Sequence, residues 1–514
     1  MTGALPNKTT AGSLYSHLQA KRSSYISDAA RCAGVTIPSL FPQHPTKVDD
    51  FVTPYQSVGS RGVNNIAAKM MLALFPPKTP FFRLKVEDEV LASMSATPDI
   101  RSKVETGLST LESRVTSELT SRGLHETSFE LFKHLIVAGN VLLYLPDDGP
   151  LELHWLHAYV CRRDRAGNVL DIVLQEKIAR VALDPDFRAL LKASKNRDDN
   201  KDEVTIYTHV TRESTQWVAY QEVGGLEVPG TRGEYPLDKC PWIPLRLIKQ
   251  AGRDYGRSYV HEYLGDLLSL EGLSQALLEG AVGAAKLLFL VNPNGVTEKD
   301  DLAKARNGDF VDGTVNDVNA LQLGKYSDFR VALEQANSTT ERLSFAFLLN
   351  SAVQRRGERV TAEEIRYVAQ ELEDSLGGLY SLLAKELQLP LATRTMYVLQ
   401  QAGKLPALPE KDVKPVVVTG LEALGRSSDL SKLEQALSKA VAAVGPEQVA
   451  KRLRVADILT LVFTACGVRA DGLLLSEAEV QQNDQQAMAM QMMQQGLNPA
   501  IQAGGNLIKE GMKE

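Results

Sequence analysis

FVTPYQSVGSRGVNNIAAKMMLALFPPKTPFFRL, the stretch from Phe51 to Leu84, reads as one amphipathic helix between two breakers. Val63, Ile66, Ala67, Met70, Met71 and Leu74 recur at i, i+3, i+4, i+7, i+8 and i+11, which lays a single apolar stripe along a helix. Pro54 and Gly59 precede the predicted helix. Pro76-Pro77 stops it, because proline cannot donate to the ladder and restricts the residue before it. Periodicity by itself gives a core helix and no function.

Outward from this helix the first third of the chain is helical. Leu14 to Cys32 reads as a helix, and Ile100 to Leu119 and Ser128 to Ala138 as a pair separated at Gly123. From Leu143 the pattern changes to alternation. Leu151, Leu153 and Trp155, then Ile172, Leu174 and Ile178, fit strands around a turn at Asp164 to Asn168. Val204 to Val210 and Trp217 to Val223 fit another hairpin, and the charged run from Lys195 to Glu203 an exposed loop.

No proline lies between Pro244 and Pro293, and Arg257 to Val291 is predicted to be one helix, about 50 Å long at 1.5 Å per residue. Toward its end it is apolar and rich in small residues: Ala276, Ala281, Gly283, Ala284 and Ala285 interleave with Leu277, Leu278, Leu287 and Leu288. Two readings stand, a buried core helix or a helix packed side by side with copies of itself. Asn292 to Asp328 breaks the pattern with Pro293, Gly295, Gly308, Gly313 and Gly324. Short strands are expected around Phe310-Val311 and Leu321 to Leu323, and a second helix from about Phe329 to Val353.

Thr361-Ala362-Glu363-Glu364 is a capping box, with Val360 and Ile365 placed for a hydrophobic staple. The helix it opens carries Ile365, Val368, Leu372, Leu376, Leu379 and Leu383 on one face. Lys404 to Pro415 reads as extended. Helices are then expected over Leu430 to Val444, over Pro446 to Cys466 with proline at its favoured first position, and over about Glu477 to Gln495. The Gln-rich end, Glu477 to Glu514, is expected to be partly disordered in a free subunit, having few large apolar anchors.

At 514 residues the chain is too long for one compact core. Its 44% hydrophobic and 23% charged content is that of an ordinary folded protein. With 57 Lys+Arg against 63 Asp+Glu the formal net charge is -6, so any contact with nucleic acid is local or loose rather than a broad basic clamp. Cys32, Cys161, Cys240 and Cys466 show no CxxC spacing, which argues against a disulfide framework or structural zinc. The N-terminus lacks a signal-peptide pattern, and the longest apolar run, Val455 to Val468, carries Asp457 and is too short to span a bilayer. A soluble, unsecreted product is expected, assembled in a reducing cytoplasm.

Catalytic motifs are missing from the sequence. It contains no GxxxxGK[ST], no HExxH and no GxSxG; Gly324-Lys325 is followed by Tyr326. His154 and His157, with Cys161 near, are the best metal candidates, but i, i+3 spacing in a predicted strand puts the histidines on opposite faces. No metal, cofactor or catalytic residue is assigned. One local cluster stands out. In Gln354-Arg355-Arg356-Gly357-Glu358-Arg359, three arginines flank a glycine between two predicted helices. They either pair with Glu358, Glu363 and Glu364 on the surface or present positive charge to phosphates.

The opening stretch, through its FPP ending and the PFFRL that follows, resembles a segment near the start of the head-to-tail connector (portal) proteins of short-tailed podoviruses, the autographivirus (T-seven-like) type. Further blocks resemble the same family in order: Ala251 to Leu277, Leu287 to Thr297, Arg342 to Leu391 and Thr419 to Arg426. The resemblance implies an α+β, predominantly helical fold of wing, stem, clip and crown, assembled as a ring of about twelve around a central channel. It implies a wing over residues 1–250, β-rich from about 143, a stem helix over 251–291, a clip over 292–328 and a second stem helix over 329–353. A channel loop over 354–360, a segment returning to the wing over 361–424, and a crown with the C-terminal tail over 425–514 complete that division.

The implied ring sits at one capsid vertex. It nucleates head assembly with capsid and scaffolding proteins, and conducts double-stranded DNA inward under the ATPase of the terminase large subunit. Later it docks tail adaptor proteins, with internal core proteins at the crown. Ala276, Ala281, Gly283, Ala284 and Ala285 would pack the ring, Arg355, Arg356 and Arg359 with Gly357 would line the DNA channel, and Lys299, Lys304 and Arg306 would stand in the docking clip. Two alternatives remain open: another ring-forming head–tail adaptor, and a nucleic-acid-processing enzyme with an unrecognised site.

Overall fold

The computed structural model describes residues 10–42, 51–77, 80–84, 98–183, 202–284, 288–321, 326–349, 378–405 and 436–446, with isolated positions in 185–190, 367–374 and 448–486. Contacts divide the chain into a large unit, Met1–Asp88 with Thr110–Ala423, and a smaller one, Glu89–Ser109 with Leu424–Glu514. Of the smaller unit the described part is helical, over 98–109 and 436–444. The capping box at Thr361, the extended segment beyond Leu405, most of the last three predicted helices, the C-terminal tail and nearly all of the Lys195 to Glu203 loop lie outside the described residues.

The large unit is built on four helices that lead into sheets. These are α1 (Ala11–Gly34), α2 (Val58–Leu74), α3 (Pro98–Ser121), of which residues 110–121 belong to this unit, and α4 (Leu124–Ala138). Thr10 caps α1 through Ser13 N, and the Glu222 carboxylate accepts from the next free amides, Ala11 N at 2.6 Å and Gly12 N at 3.2 Å. A negative group at that end also suits the helix dipole.

The helix α2 begins earlier than its stripe suggested. Gly59 lies inside its first turn, where an added Cβ would stand 2.4 Å from the Val35 carbonyl oxygen, so α1 and α2 meet at the one side chain small enough. Gln56 bridges the same junction, donating to Val35 O and accepting from Gly59 N. The stripe is buried at Val63, Ile66, Ala67, Met70 and Leu74, with Met71 half-buried. Past the helix, the FPPKTPFF run seats Phe75, Phe81 and Phe82 in the core, with Phe75 edge-on to Phe81 at 5.0 Å and stacked on Phe132 of α4 at 6.2 Å. Gly123 and Gly139, both at positive φ, bracket α4, and Gly139 turns the chain where no Cβ fits beside Arg257.

Strand β1 (Asn140–Tyr144) is central to a three-stranded antiparallel sheet, flanked by β2 (Glu152–Trp155) and later by β9 (Trp242–Arg246). The second sheet runs β3 (Tyr159–Arg163), β4 (Val169–Ala179), β5 (Glu203–Arg212), β6 (Gln216–Val223) and β7 (Leu226–Glu227), with β8 (Gly233–Pro236) also paired to β6. The predicted turn at Asp164 to Asn168 joins β3 to β4, closed by Asp164 N to Asn168 O at 2.9 Å. The predicted hairpin of the next two strands is present too. His157, predicted within a strand, instead lies in the turn after β2; its ring stacks on Phe41 at 4.6 Å. Burial is the largest cause and Arg22 the next in holding its pKa down to about 4.

Two polar knots fix the sheet. Arg22, buried on α1, donates to the carbonyls of Leu156 and His157 at 3.0 Å and to Tyr15 Oη at 3.1 Å. Asp171, buried on β4, accepts from Arg162 Nε at 2.7 Å and Thr211 Oγ1 at 2.9 Å, with His209 Nε2 at 3.4 Å. Burial pushes the Asp171 carboxyl up, but hydrogen bonds from His209, Arg162 and Thr211 with the Arg162 charge outweigh it and leave it below its ordinary value.

Candidate assembly surface

The predicted single helix from Arg257 to Val291 is broken into three pieces. A short α5 (Tyr259–Glu262), capped by Ser258, precedes α6 (Leu264–Ala284), and Leu288–Val291 is a strand, β10. β10 pairs antiparallel with β11 (Val318–Leu321), so its backbone is satisfied by a neighbouring strand and not by the helix behind it. Between them lies a short helix α7 (Lys299–Lys304). The second long helix, α8 (Tyr326–Ala346), starts earlier and ends sooner than predicted.

Three contacts show that α6 and α8 run antiparallel with one register. The Arg342 guanidinium meets Asp266 at 3.0 Å, Gly280 receives the Phe329 ring where a Cβ would lie 2.1 Å away, and Leu288 faces Leu321 in the strand ladder. Gly280 thus seats the Phe329 ring of the other helix, a contact that its missing side chain allows.

Burial along this pair is graded. Leu264, Leu267 and Leu270 at the start of α6 are buried, and beyond Leu270 no described residue of the helix is. Ala276 and Ala281 are exposed and Gly283 is half-buried; Ala284 ends the helix, and Ala285 lies outside the described residues. The reading of this helix as wholly buried core is thus corrected for the single subunit: its apolar second half is only partly covered. Large side chains share the exposure. Leu278 is 53% and Val282 55% exposed on α6, and Val331, Leu333 and Phe345 are exposed on α8. Phe289 and Leu290 extend the apolar surface onto β10. The signal for these larger residues was the high apolar content of α6, whose polar side chains Glu271, Gln275 and Glu279 fall at i, i+4 and i+8 along one side of it.

The segment between the two limbs is loop-rich but tied. The Asp317 carboxylate accepts from Val296 N at 3.0 Å and Thr297 Oγ1 at 3.2 Å, while its carbonyl accepts from Asn292 N at 2.8 Å. Gly295 sits against that carboxylate, where a Cβ would lie 2.4 Å from its carbon. Phe310-Val311, expected as a strand, is irregular; Val318–Leu321 takes the pairing with β10, and Phe310 is fully exposed. Lys299 and Lys304 stand at the two ends of α7 with Arg306 just beyond, all exposed, while Asp300 and Asp301 occupy its first turn. Asp300 and Asp301 at the start and Lys304 at the end suit the dipole of this helix, whereas Lys299 at its first position opposes it. Arg355, Arg356, Gly357 and Arg359 lie outside the described residues. Among the described residues no group of His, Cys, Asp and Glu could hold a metal ion, and no helix is long and apolar enough to cross a membrane.

Among the described residues a sheet-and-helix body carries one helix pair with exposed apolar side chains, the pattern of a surface suited to packing against other chains. Residues 8–474 match the model of the bacteriophage head to tail connecting proteins, and the chain belongs to that family. It is 44% identical over 496 residues to the portal protein of Escherichia phage T7, covering 95% of this chain and 91% of that one. To the portal protein of Enterobacteria phage T3 it is 44% identical over 499 residues, 96% and 92% of the two chains. The portal protein of Enterobacteria phage SP6 is 33% identical over 516 residues, 98% of this chain and 96% of its own. A solved chain from the neck of a native gene transfer agent particle covers 84% of this chain and 93% of itself at 11% identity. Its TM-score of 0.33 is too slight a likeness to bear on the fold.

Proposed function

We propose that this chain is a portal subunit that closes into a ring of about twelve at one capsid vertex, with α6 and α8 as the stem and the segment between them as the clip. The observation that carries the ring is the uncovered apolar surface of Leu278, Val282, Val331 and Leu333, beside the small residues Ala276, Ala281 and Gly283 that let helices approach closely. Family membership and the portal-protein relatives support the role in joining head to tail. In this reading the wing is residues 1–250, and 354–360 is a channel loop whose Arg355, Arg356 and Arg359 touch phosphates of passing double-stranded DNA without reading bases, Gly357 giving it freedom.

The ring nucleates head assembly with coat and scaffolding proteins and carries no catalysis of its own. Lys299, Lys304 and Arg306 face the terminase and then the tail adaptors. Residues 425–514, crown and C-terminal tail, face the capsid interior and internal core proteins. Light scattering and negative-stain images of the purified chain test this. Rings of roughly twelve or thirteen copies are expected, and a stable monomer or dimer at micromolar concentration refutes the reading.

A further inference from the structure

We propose that Lys69 is a positioning residue for DNA handling, an anchor on α2 that ties down both described flanks of the arginine-bearing stretch; this rests on the portal reading above. The geometry lies in the segment that opened the sequence. Gly62, Asn65 and Lys69 recur at i, i+3 and i+7, a second stripe beside the apolar one. All three meet the end of α8.

Gly62 receives the Phe347 ring, whose nearest carbon would be 2.4 Å from an added Cβ. That ring is also edge-on to Tyr259 at 6.0 Å and tilted on Tyr263 at 5.8 Å, so the last turn of α8 is seated in a closed aromatic site. The chain then turns at Leu348, the described non-glycine residue with a positive φ, 55°. Such a backbone is costly for leucine and persists where its surroundings hold it. The holding groups are on α2. Asn65 Nδ2 donates to Phe347 O at 3.0 Å and to Leu348 O at 2.9 Å, satisfying carbonyls that the end of a helix leaves without partners. Lys69 Nζ reaches Leu348 O at 3.4 Å, bringing a positive charge to the negative end of α8.

The same ammonium makes a second contact, and it is the informative one. Lys69 Nζ lies 2.7 Å from Glu371 Oε2, with the lysine side chain 7% and the glutamate 17% exposed. Glu371 belongs to the helical residues that follow the arginines; Leu348 precedes them. One buried cation therefore gathers the outgoing and the returning chain. A lysine is seldom buried unless paired, and a pair this enclosed is sensitive to removal of either member. An isoleucine or leucine at 69 would continue the neighbouring apolar stripe, so core packing alone gives no reason for a cation here.

The experiment uses assembled rings and filled particles of the full chain, with Lys69→Met, Lys69→Arg and Glu371→Gln, each alone and combined with R355A/R356A. DNA retained after a salt challenge is the main readout, with ring yield and melting temperature alongside. Lys69→Met is expected to retain roughly tenfold less DNA at unchanged ring yield, with substantial rescue by Lys69→Arg. In the R355A/R356A background, Lys69→Met should cause no further loss, because a residue acting through those arginines has nothing left to position. Glu371→Gln breaks the same pair from its more exposed side and should reproduce the effect where Lys69→Met folds poorly. Retention equal to wild type in both single variants, or an equal loss with and without the arginines, overturns the proposal while the portal reading stands. A wild-type chain that forms no DNA-retaining ring overturns both.

Discussion

Replacing Leu278 and Val282 together by glutamate separates assembly from folding, because both side chains are about half exposed in the single subunit, 53% and 55%. Fully burying a leucine or valine is worth roughly 1.5–3 kcal/mol, so covering the exposed half of each contributes about 1 kcal/mol, or about 2 kcal/mol for the pair. Two carboxylates pressed against an apolar neighbour cost at least about 2 kcal/mol more even when they relax toward water. The expected loss is about 4 kcal/mol per contact, which is roughly a thousandfold in the association constant. The isolated fold should be indifferent, since changes at exposed positions are usually within about 0.5 kcal/mol. Light scattering across a concentration series measures the first quantity and thermal melting of the dissociated subunit the second. Val181→Glu serves as a control for adding a carboxylate elsewhere, because Val181 is exposed, at 89%, and lies after β4 and not on the helix pair. Rings of the double variant at wild-type concentrations would refute the assignment of this surface to subunit packing.

Charge reversal at Lys299, Lys304 and Arg306, all exposed, should reduce packaging or tail attachment and leave ring formation intact; filled, tailed particles in normal yield would argue against the docking assignment. R355A/R356A should lower DNA retention without altering ring yield, and the salt dependence of retention should flatten with the lost phosphate contacts. Gly62→Val should destabilise the large unit by about 1–3 kcal/mol, because its side chain would enter the Phe347 ring; an unchanged melting temperature would contradict that packing. Stability should fall on acidification between pH 6.5, the ordinary histidine value, and about 4, where His157 is held. The sign follows from the unfolded chain, which binds the proton first as pH drops, and His157→Gln should flatten the fall as followed by melting temperature against pH.

What could be seen in the sequence was whatever repeats with a fixed period. The stripe Val63 to Leu74, the turn at Asp164 to Asn168 and the hairpin of β5 and β6 are local patterns, and they lie where periodicity and turn residues put them. What escaped was set by partners far along the chain. Gly59 looked like a breaker and is a helical contact with Val35, a neighbour supplied by α1. Arg257 to Val291 lacks proline, so nothing local announces that β11 will claim Leu288–Val291 as a strand. At the assembly surface the small residues were legible as a composition, but which large residues stand uncovered depends on where α8 lies against α6. Lys69 and Asn65 were invisible as a site, since their partners at 347–348 and 371 come almost three hundred residues later.

The helix α8 joins two of these late-formed contacts. Its 21 residues span about 30 Å at 1.5 Å per residue. At one end, β11 precedes it by a few residues and pairs with β10 beside the loop-rich segment. At the other end, Phe347 is seated against Gly62 and Leu348 is held by Asn65 and Lys69. Between the ends its buried positions are few, Ala336, Thr339 and Leu343, and the ion pair of Arg342 with Asp266 is largely exposed. In the single subunit the more firmly seated end of α8 is therefore the one at Phe347 and Leu348, and Lys69 joins that end to Glu371 through the same ammonium.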